Sequence, residues 1–246
     1  MLMKLLSPVM LTLFLSFLLS ACGGGGGGGG SSSTPAPAPI PPVSYLFLFN
    51  KAWTDSIKTA ANQSFTLTGT TNTYPVTGSG TITNTALSSV IIFNRYPAYS
   101  ADETLTGTAT VRGIVVPLNS ADTNYYDLIY RPVGSTGDTN MLVDGNANIP
   151  ITVQIGDSGT IYSGKTYSDS NFTTQIGTQT VTYAVAADPS SSVYALITTT
   201  IVSKDLTGLV TSTSNNLIRI HYDGTAKRIS TTSVGGNTTL IYTFPN

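Results

Sequence analysis

Most of the chain beyond residue 62 alternates between apolar side chains and side chains that carry a hydroxyl group. Residues 105–111, 151–155 and 181–185 follow this period of two. Such alternation places one face of a β-strand against a core and the other face in water. One uninterrupted apolar run, residues 90–93, predicts instead a strand that is buried on both faces. The β-strand is therefore the dominant element predicted for this chain.

The C-terminal third contains the clearest succession of strands. Asp223 and Gly224 form the dipeptide that is favoured in tight type I′ hairpins. Short turn signals separate five runs of strand-forming residues: 193–203, 206–213, 217–222, 226–233 and 237–244. Strands that follow one another this closely pair as an antiparallel meander. We therefore predict an all-β fold in which an antiparallel meander forms a barrel, a half-barrel or a sandwich.

One short helix is predicted near the start of the folded region, over residues 51–62. Ala52, Trp53 and Ile57 recur at helical spacing, and Asn50 precedes them as a candidate N-cap. Trp53 is interpreted as a core anchor of this helix. The apolar residues before it, 45–49, predict a buried strand or an apolar lead-in.

Composition excludes several classes of protein. Forty of the 246 residues are threonine, only Glu103 is a glutamate, and 9% are charged. This shortage of helix-forming residues excludes a helical bundle or coiled coil. The net charge of −1, with no basic cluster beyond Lys227 and Arg228, gives no electrostatic basis for binding nucleic acid. The single cysteine, Cys22, excludes an internal disulfide framework and a cysteine-built zinc site.

The first 22 residues read as an export signal. Lys4 supplies one positive charge, and the apolar stretch 5–19 is too short and too interrupted for a membrane-spanning helix. The sequence Leu19-Ser20-Ala21-Cys22 resembles the lipobox of bacterial lipoproteins. This resemblance implies cleavage between Ala21 and Cys22, a diacylglycerol on the Cys22 sulfur and an acyl chain, such as palmitate, on the new amino group. Two or more chains anchor a protein stably in a membrane.

The segment that follows Cys22 has the composition of a spacer. Eight glycines precede a serine-rich and then a proline-rich stretch, so a flexible coil is expected to lead into an extended rod. We therefore divide the chain into a signal peptide (1–21), a lipidated tether (22–43) and an all-β domain (44–246). Gly23, where some lipoproteins have aspartate, resembles the sorting signal for the outer membrane, so we expect a protein of the cell envelope.

The tetrapeptide at 156–159, Gly-Asp-Ser-Gly, resembles serine-nucleophile motifs of chymotrypsin-like proteases and of GDSL esterases, and the Asp-Ser-Gly of aspartic proteases. Thr160, Ile218 and Gly156 respectively depart from those three patterns. A serine nucleophile also needs a base, and the only histidine, His221, lies in an alternating strand. We therefore interpret residues 156–159 as a turn after strand 151–155, assign no catalytic residue, and expect a protein that is not an enzyme.

Two other groups of residues are considered as candidate sites, one for a metal ion and one for surface recognition. Asp144, Asn146 and Asn148, with Asp138, resemble the first half of a calcium loop, but Ile149 and Ile155 replace its glycine and glutamate. A polar turn explains the same residues, and we predict no metal site and no cofactor. Tyrosines can form recognition surfaces on β-proteins. Five of them lie in or beside predicted loops: Tyr96, Tyr99, Tyr125, Tyr126 and Tyr130.

Three functions are compatible with these features. The first is a non-enzymatic binding or structural module, held at the membrane by its lipid and directed to an envelope protein or polymer. The second is a carrier of a lipid or other apolar ligand in a curved sheet, with residues 90–93 and 114–116 as candidate lining. The third and most distant is a hydrolase that uses Ser158.

Overall fold

The computed structural model describes residues 45–245, which contain one α-helix and thirteen β-strands. In chain order the elements are α1 (Phe49–Lys58), β1 (Ala61–Thr71), β2 (Tyr74–Asn84), β3 (Ile91–Phe93), β4 (Tyr96–Val111), β5 (Ile114–Tyr126), β6 (Pro132–Gly137), β7 (Asn140–Val143), β8 (Ser158–Tyr167), β9 (Gln175–Ala187), β10 (Tyr194–Asp205), β11 (Val210–His221), β12 (Ala226–Gly235) and β13 (Thr238–Thr243). The single helix is too short to cross a lipid bilayer, and no other helix occurs between residues 45 and 245.

Twelve of these strands form a closed antiparallel barrel. Each pairs with its neighbours in the chain, except that β2 pairs with β4 and leaves β3 as a short hairpin on the first residues of β4. The barrel closes where β13 pairs with β1, with Thr66 opposite Thr243. The all-β meander with one N-terminal helix is thus confirmed, and the barrel is the form it takes. Closure needs no strand from outside these residues, so we expect residues 44–246 to fold on their own.

The strand register separates an apolar inner face from a hydroxyl-rich outer face. Phe65 lies opposite Gly80, which lies opposite Gly107, and these residues share the inner face. One position along, Thr66, Ser79 and Thr108 lie opposite one another and are exposed. Threonine and serine therefore cover the outside of this part of the barrel, as the alternation predicts.

Buried apolar side chains form two clusters inside the barrel. One joins β1, β2, β4, β5 and β13 and contains Phe65, Leu67, Val76, Ile82, Leu105, Ala109, Val111, Leu118, Leu240, Tyr242 and Phe244. The other joins α1 and the segment before it to the β8–β11 wall and contains Phe47, Phe49, Ala52, Ile149, Val153, Ile161, Val181, Val185, Ala195, Ile197 and Ile220. The helix is therefore packed on the barrel by the second cluster.

The predicted helix is present, but its bounds and its cap differ from the prediction. It begins at Phe49 and ends at Lys58, because Ala61 is already the first residue of β1. Leu48 occupies the N-cap position and makes no side-chain capping bond, so Asn50 is not the cap. The segment before the helix forms no strand, since only Phe47 makes an isolated bridge, to Val153.

Two further predictions, the burial of strand 90–93 and the existence of strand 151–155, are wrong. Residues 90–93 are not buried on both faces, because β3 lies outside the closed ladder and leaves Ile92 72% exposed. Residues 151–155 form no strand, although their alternation is real. Val153 is buried against Phe47, while Ile151 is 78% exposed. The partner of this segment is the lead-in to α1 instead of a neighbouring strand.

The predicted break between strands 206–213 and 217–222 does not exist, because β11 runs without interruption from Val210 to His221. Two polar residues in its middle are held by neighbouring strands. Asn215 Oδ1 accepts a hydrogen bond from the Thr200 hydroxyl, and Asn216 Oδ1 accepts one from the Thr231 hydroxyl. These cross-strand bonds satisfy the side chains within the sheet, so the polar run does not become a turn.

Candidate functional site: the barrel interior

A cavity of about 470 Å³ lies between α1 and the inner faces of the barrel strands. Sites for small molecules usually enclose about 300–1,000 Å³. The helix contributes Trp53 and Ile57 to its wall. Apolar side chains of the strands that also line it include Ile82, Leu105, Ile197, Ile201 and Ile218. The interior therefore has room, and apolar surface, for one small ligand.

Polar side chains from the helix and from the barrel strands make up nearly half of the residues that line the cavity. Asn84 and Glu103 are opposite each other on β2 and β4, and both line the cavity. Asn84 Oδ1 is buried and accepts no hydrogen bond. The Glu103 carboxylate makes no hydrogen bond or ion pair with any residue in the described part of the chain. Two hydrogen-bond acceptors thus stand side by side in the wall without a donor.

Two tyrosines line the same space and keep their protons. Burial raises the pKa of the Tyr162 phenol to about 12. Burial, followed by the nearby negative charge of Glu103, raises the pKa of Tyr126 further above its ordinary value. Both side chains retain some accessible surface, and both line the cavity. They therefore offer neutral hydroxyl groups to the interior.

The helix closes one end of the barrel through a small set of contacts. The Phe49 ring lies 5.5 Å from the Tyr183 ring, and Trp53 Nε1 donates a hydrogen bond of 3.3 Å to the Tyr130 carbonyl. Lys58 Nζ stands 3.8 Å above the Tyr130 ring. These contacts fix Trp53, the only tryptophan of the chain, beside the cavity, where its fluorescence can report on a bound molecule.

Asp122 lies opposite Glu103 on β5, and burial raises the pKa of its carboxyl group to about 6; Asp138 and Glu103 act in the same direction. A carboxyl group whose pKa rises on folding contributes stability that is complete below about pH 4 and is lost as the pH rises through 6. Asp122→Asn retains the oxygen that accepts the Thr139 N–H bond.

We expect the wild type to lose about 1–2 kcal/mol of unfolding free energy between pH 4 and pH 7 that Asp122→Asn does not lose, allowing for partial exposure. Urea unfolding curves at pH 4, 5.5 and 7 measure the difference. Parallel pH profiles for the two proteins would contradict the assignment.

The five tyrosines predicted as a recognition surface are divided between different environments. Tyr125 and Tyr126 line the cavity, and the Tyr125 ring also stacks on Phe93 at 3.8 Å. Tyr99 stacks on Tyr130 at 5.6 Å, and Tyr96 is 71% exposed. The interior contains two of the five, but neither Val90–Phe93 nor 114–116, the lining proposed from the sequence, contributes to the cavity wall.

Ser158 and His221 are not brought together. Ser158 is the first residue of β8 and pairs with Ala184, whereas His221 is the last residue of β11 and pairs with Tyr194. His221 Nδ1 contacts Asp223 Oδ1 at 2.9 Å. Within residues 45–245 no hydrogen bond joins the serine to the histidine. The turn predicted over residues 156–159 is present only in part, because it lies at residues 155–156 and Ser158 already begins β8. Asp157 Oδ2 accepts a hydrogen bond from the Gln154 N–H there.

Two of the candidate calcium residues, Asp138 and Asp144, take part in hydrogen bonds with backbone groups. Asp138 Oδ2 accepts a hydrogen bond from the Ala121 N–H, and the Asp144 N–H donates to the Ser163 carbonyl. Among residues 45–245 no three histidine, cysteine or acidic side chains are grouped in a way that would hold a metal ion. The predicted cleavage and lipidation sites, Ala21 and Cys22, lie outside the described residues.

No family model matches this sequence, and no curated protein matches it. Among solved structures, the chain is similar to a beta-barrel-like protein of a domain of unknown function from Brucella abortus. The two are 11% identical, the TM-score is 0.41, and the match covers 76% of this chain and 96% of that one. The strand pairing of this chain itself defines it as a closed antiparallel β-barrel with an internal cavity.

Proposed function

We propose that this chain is a lipid-anchored protein of the bacterial cell envelope whose barrel carries a small apolar or amphipathic ligand. The observation that supports a carrier is the interior cavity of about 470 Å³, whose wall combines apolar side chains with polar ones. A concave, largely apolar site with a few convergent polar side chains is the usual form of a small-molecule site. The cavity favours this function over a module that binds partners through its outer surface.

The distribution of polar and apolar side chains on the barrel also suits a protein that binds a ligand without converting it. Its outer face presents hydroxyl groups, which suit a surface in contact with water, and its inner face presents the apolar surface that a carrier needs. A hydrolase that uses Ser158 gains no support, because the serine has no base in hydrogen-bond reach among the described residues.

A cavity-filling variant tests the proposal. Thr199 lines the cavity and is buried, whereas Thr198, the next residue of β10, belongs to the opposite face of the sheet. We expect Thr199→Phe to weaken binding of decanol to the 44–246 domain by about tenfold or more, because the added ring occupies the space of the ligand. Thr198→Phe is the matched control and should leave the affinity unchanged.

Binding is measured by titration of Trp53 fluorescence, and urea unfolding shows that both variants fold. A folded Thr199→Phe variant that binds decanol as tightly as the wild type would contradict an interior site. So would a wild type that does not bind decanol.

The lipid anchor has a separate test in the full-length chain. We expect Cys22→Ser to move the protein from the membrane fraction to the soluble fraction, because serine offers no thiol to the diacylglycerol. Ser20→Ala keeps a small residue in the lipobox and should remain with the membrane. Fractionation followed by intact mass measurement distinguishes the two. Membrane retention of Cys22→Ser, or an unmodified Cys22 in the mature wild type, would contradict the anchor.

A further inference from the structure

The two unpartnered acceptors of the cavity wall are free to accept hydrogen bonds from a bound ligand. Asn84 Oδ1 is buried without a partner, and the Glu103 carboxylate opposite it has none within the described barrel. A buried acceptor without a donor is costly, and a partly buried carboxylate more so. Asp122, on the other side of Glu103, adds negative charge to the same row of side chains. A cation with N–H groups matches this row best.

Apolar surface begins directly beside this polar row. Ile82 and Leu105 are opposite each other on β2 and β4, two residues from Asn84 and Glu103 along the same inner face. Both are buried and both line the cavity. Ile57 of the helix also lines it. A ligand whose charged end reaches Glu103 therefore meets apolar side chains along the rest of its length.

The basic residues of the cavity do not compete for Glu103. Lys227 and Arg228 line the cavity from β12, and neither forms an ion pair with any residue of the described chain. Lys227 is exposed to solvent, and the Arg228 guanidinium lies 5.3 Å from the centre of the Phe244 ring. Lys227 is thus solvated and Arg228 lies over an aromatic ring, whereas Asn84 Oδ1 is buried, Glu103 is half-buried, and neither acceptor has a partner.

We propose that the cavity binds an amphipathic primary amine, whose ammonium group donates hydrogen bonds to Glu103 and Asn84 while its apolar body packs on Ile82 and Leu105. This inference rests on the proposed interior binding function and names the ligand class that the site takes. Glu103 provides the charge, and Asn84 provides a second, neutral acceptor for the same group.

Three ligands of equal chain length test the proposal on the 44–246 domain: decylamine, decanol and decanoate, each titrated against Trp53 fluorescence below the concentration at which it aggregates. We expect decylamine to bind about tenfold or more tightly than decanol, and decanoate to bind most weakly. Glu103→Gln should weaken decylamine binding by about tenfold and decanol binding much less, because only the ammonium group loses an opposite charge. Asp102→Asn, the adjacent residue on the exposed outer face, is the matched control and should change neither.

A second variant guards against a folding defect in Glu103→Gln. Asn84→Asp adds a carboxylate beside Glu103 and should tighten decylamine binding several-fold. Equal binding of decylamine and decanol, tightest binding of decanoate, or a folded Glu103→Gln variant that retains full affinity for decylamine overturns the amine proposal while the interior site stands. If none of the three ligands binds the wild type, the proposed function and this inference both fail.

Discussion

Replacing Phe47 with alanine is expected to lower the free energy of unfolding by about 3–5 kcal/mol. The Phe47 side chain is 0% exposed and belongs to the cluster that packs α1 and its lead-in on the barrel. Truncation to alanine leaves a space that this cluster fills only in part. The backbone bonds between Phe47 and Val153, 2.8 and 3.0 Å long, do not depend on the side chain and should remain. The loss is a large part of the 5–15 kcal/mol that stabilises a typical domain.

Leu46 provides the matched control for this change. It is the adjacent residue and is 58% exposed, so Leu46→Ala should alter the free energy of unfolding by less than about 0.5 kcal/mol. Urea unfolding of both variants, followed by Trp53 fluorescence, measures the two values. Equal effects from Leu46→Ala and Phe47→Ala would show that the segment before α1 is not packed on the barrel as described.

Gly80→Ala is expected to destabilise the barrel by about 1–3 kcal/mol, toward the upper end of that range. A Cβ atom at this position would lie 2.6 Å from Phe65 Cζ and still closer to the Thr106 carbonyl oxygen. Phe65 lies opposite Gly80 in the ladder, so its ring occupies the space that the missing side chain leaves. Relief requires movement of the backbone of β4 as well as of the ring, and backbone movement within a closed ladder is costly.

Ser79→Ala is the control for Gly80→Ala, because it introduces the same side chain one residue earlier, on the exposed outer face. It should change the free energy of unfolding by less than about 0.5 kcal/mol. A Gly80→Ala variant as stable as Ser79→Ala would contradict the close approach of β2 and β4. The same urea titration serves both proteins.

Alternation along the chain was sufficient to predict the strands that pair with their neighbours. Residues 105–111 and 181–185 lie in β4 and β9. The hairpin at Asp223-Gly224 is also present, but its loop is longer than the predicted two-residue turn. The His221 N–H donates to the Thr225 carbonyl, and Asp223 Oδ1 accepts from the Thr225 N–H. The longer loop therefore includes a hydrogen bond from a backbone N–H to a side chain. A rule based on the preferred dipeptide of a two-residue turn does not take such a bond into account.

Closure and the cavity could not be predicted in the same way. Alternation assigns a face to each residue of a strand but does not identify the partner of a strand that is distant in the chain, as β13 is from β1. One signal for the site was present. Glu103 precedes Leu105 by two residues and Asn84 follows Ile82 by two, so each polar residue occupies the apolar phase of its strand. A carboxylate in that phase indicates a functional interior position or an interior partner.

The central claim is that the barrel encloses a ligand, and a native mass spectrum of the 44–246 domain tests it most directly. With decanol or decylamine added at a concentration near the wild type's dissociation constant, we predict a single adduct of the wild type that is lost on denaturation and is several-fold less abundant on Thr199→Phe. A spectrum of the wild type that contains only the bare polypeptide even at saturating ligand, or equal adduct fractions on the two proteins near that dissociation constant, would contradict the claim.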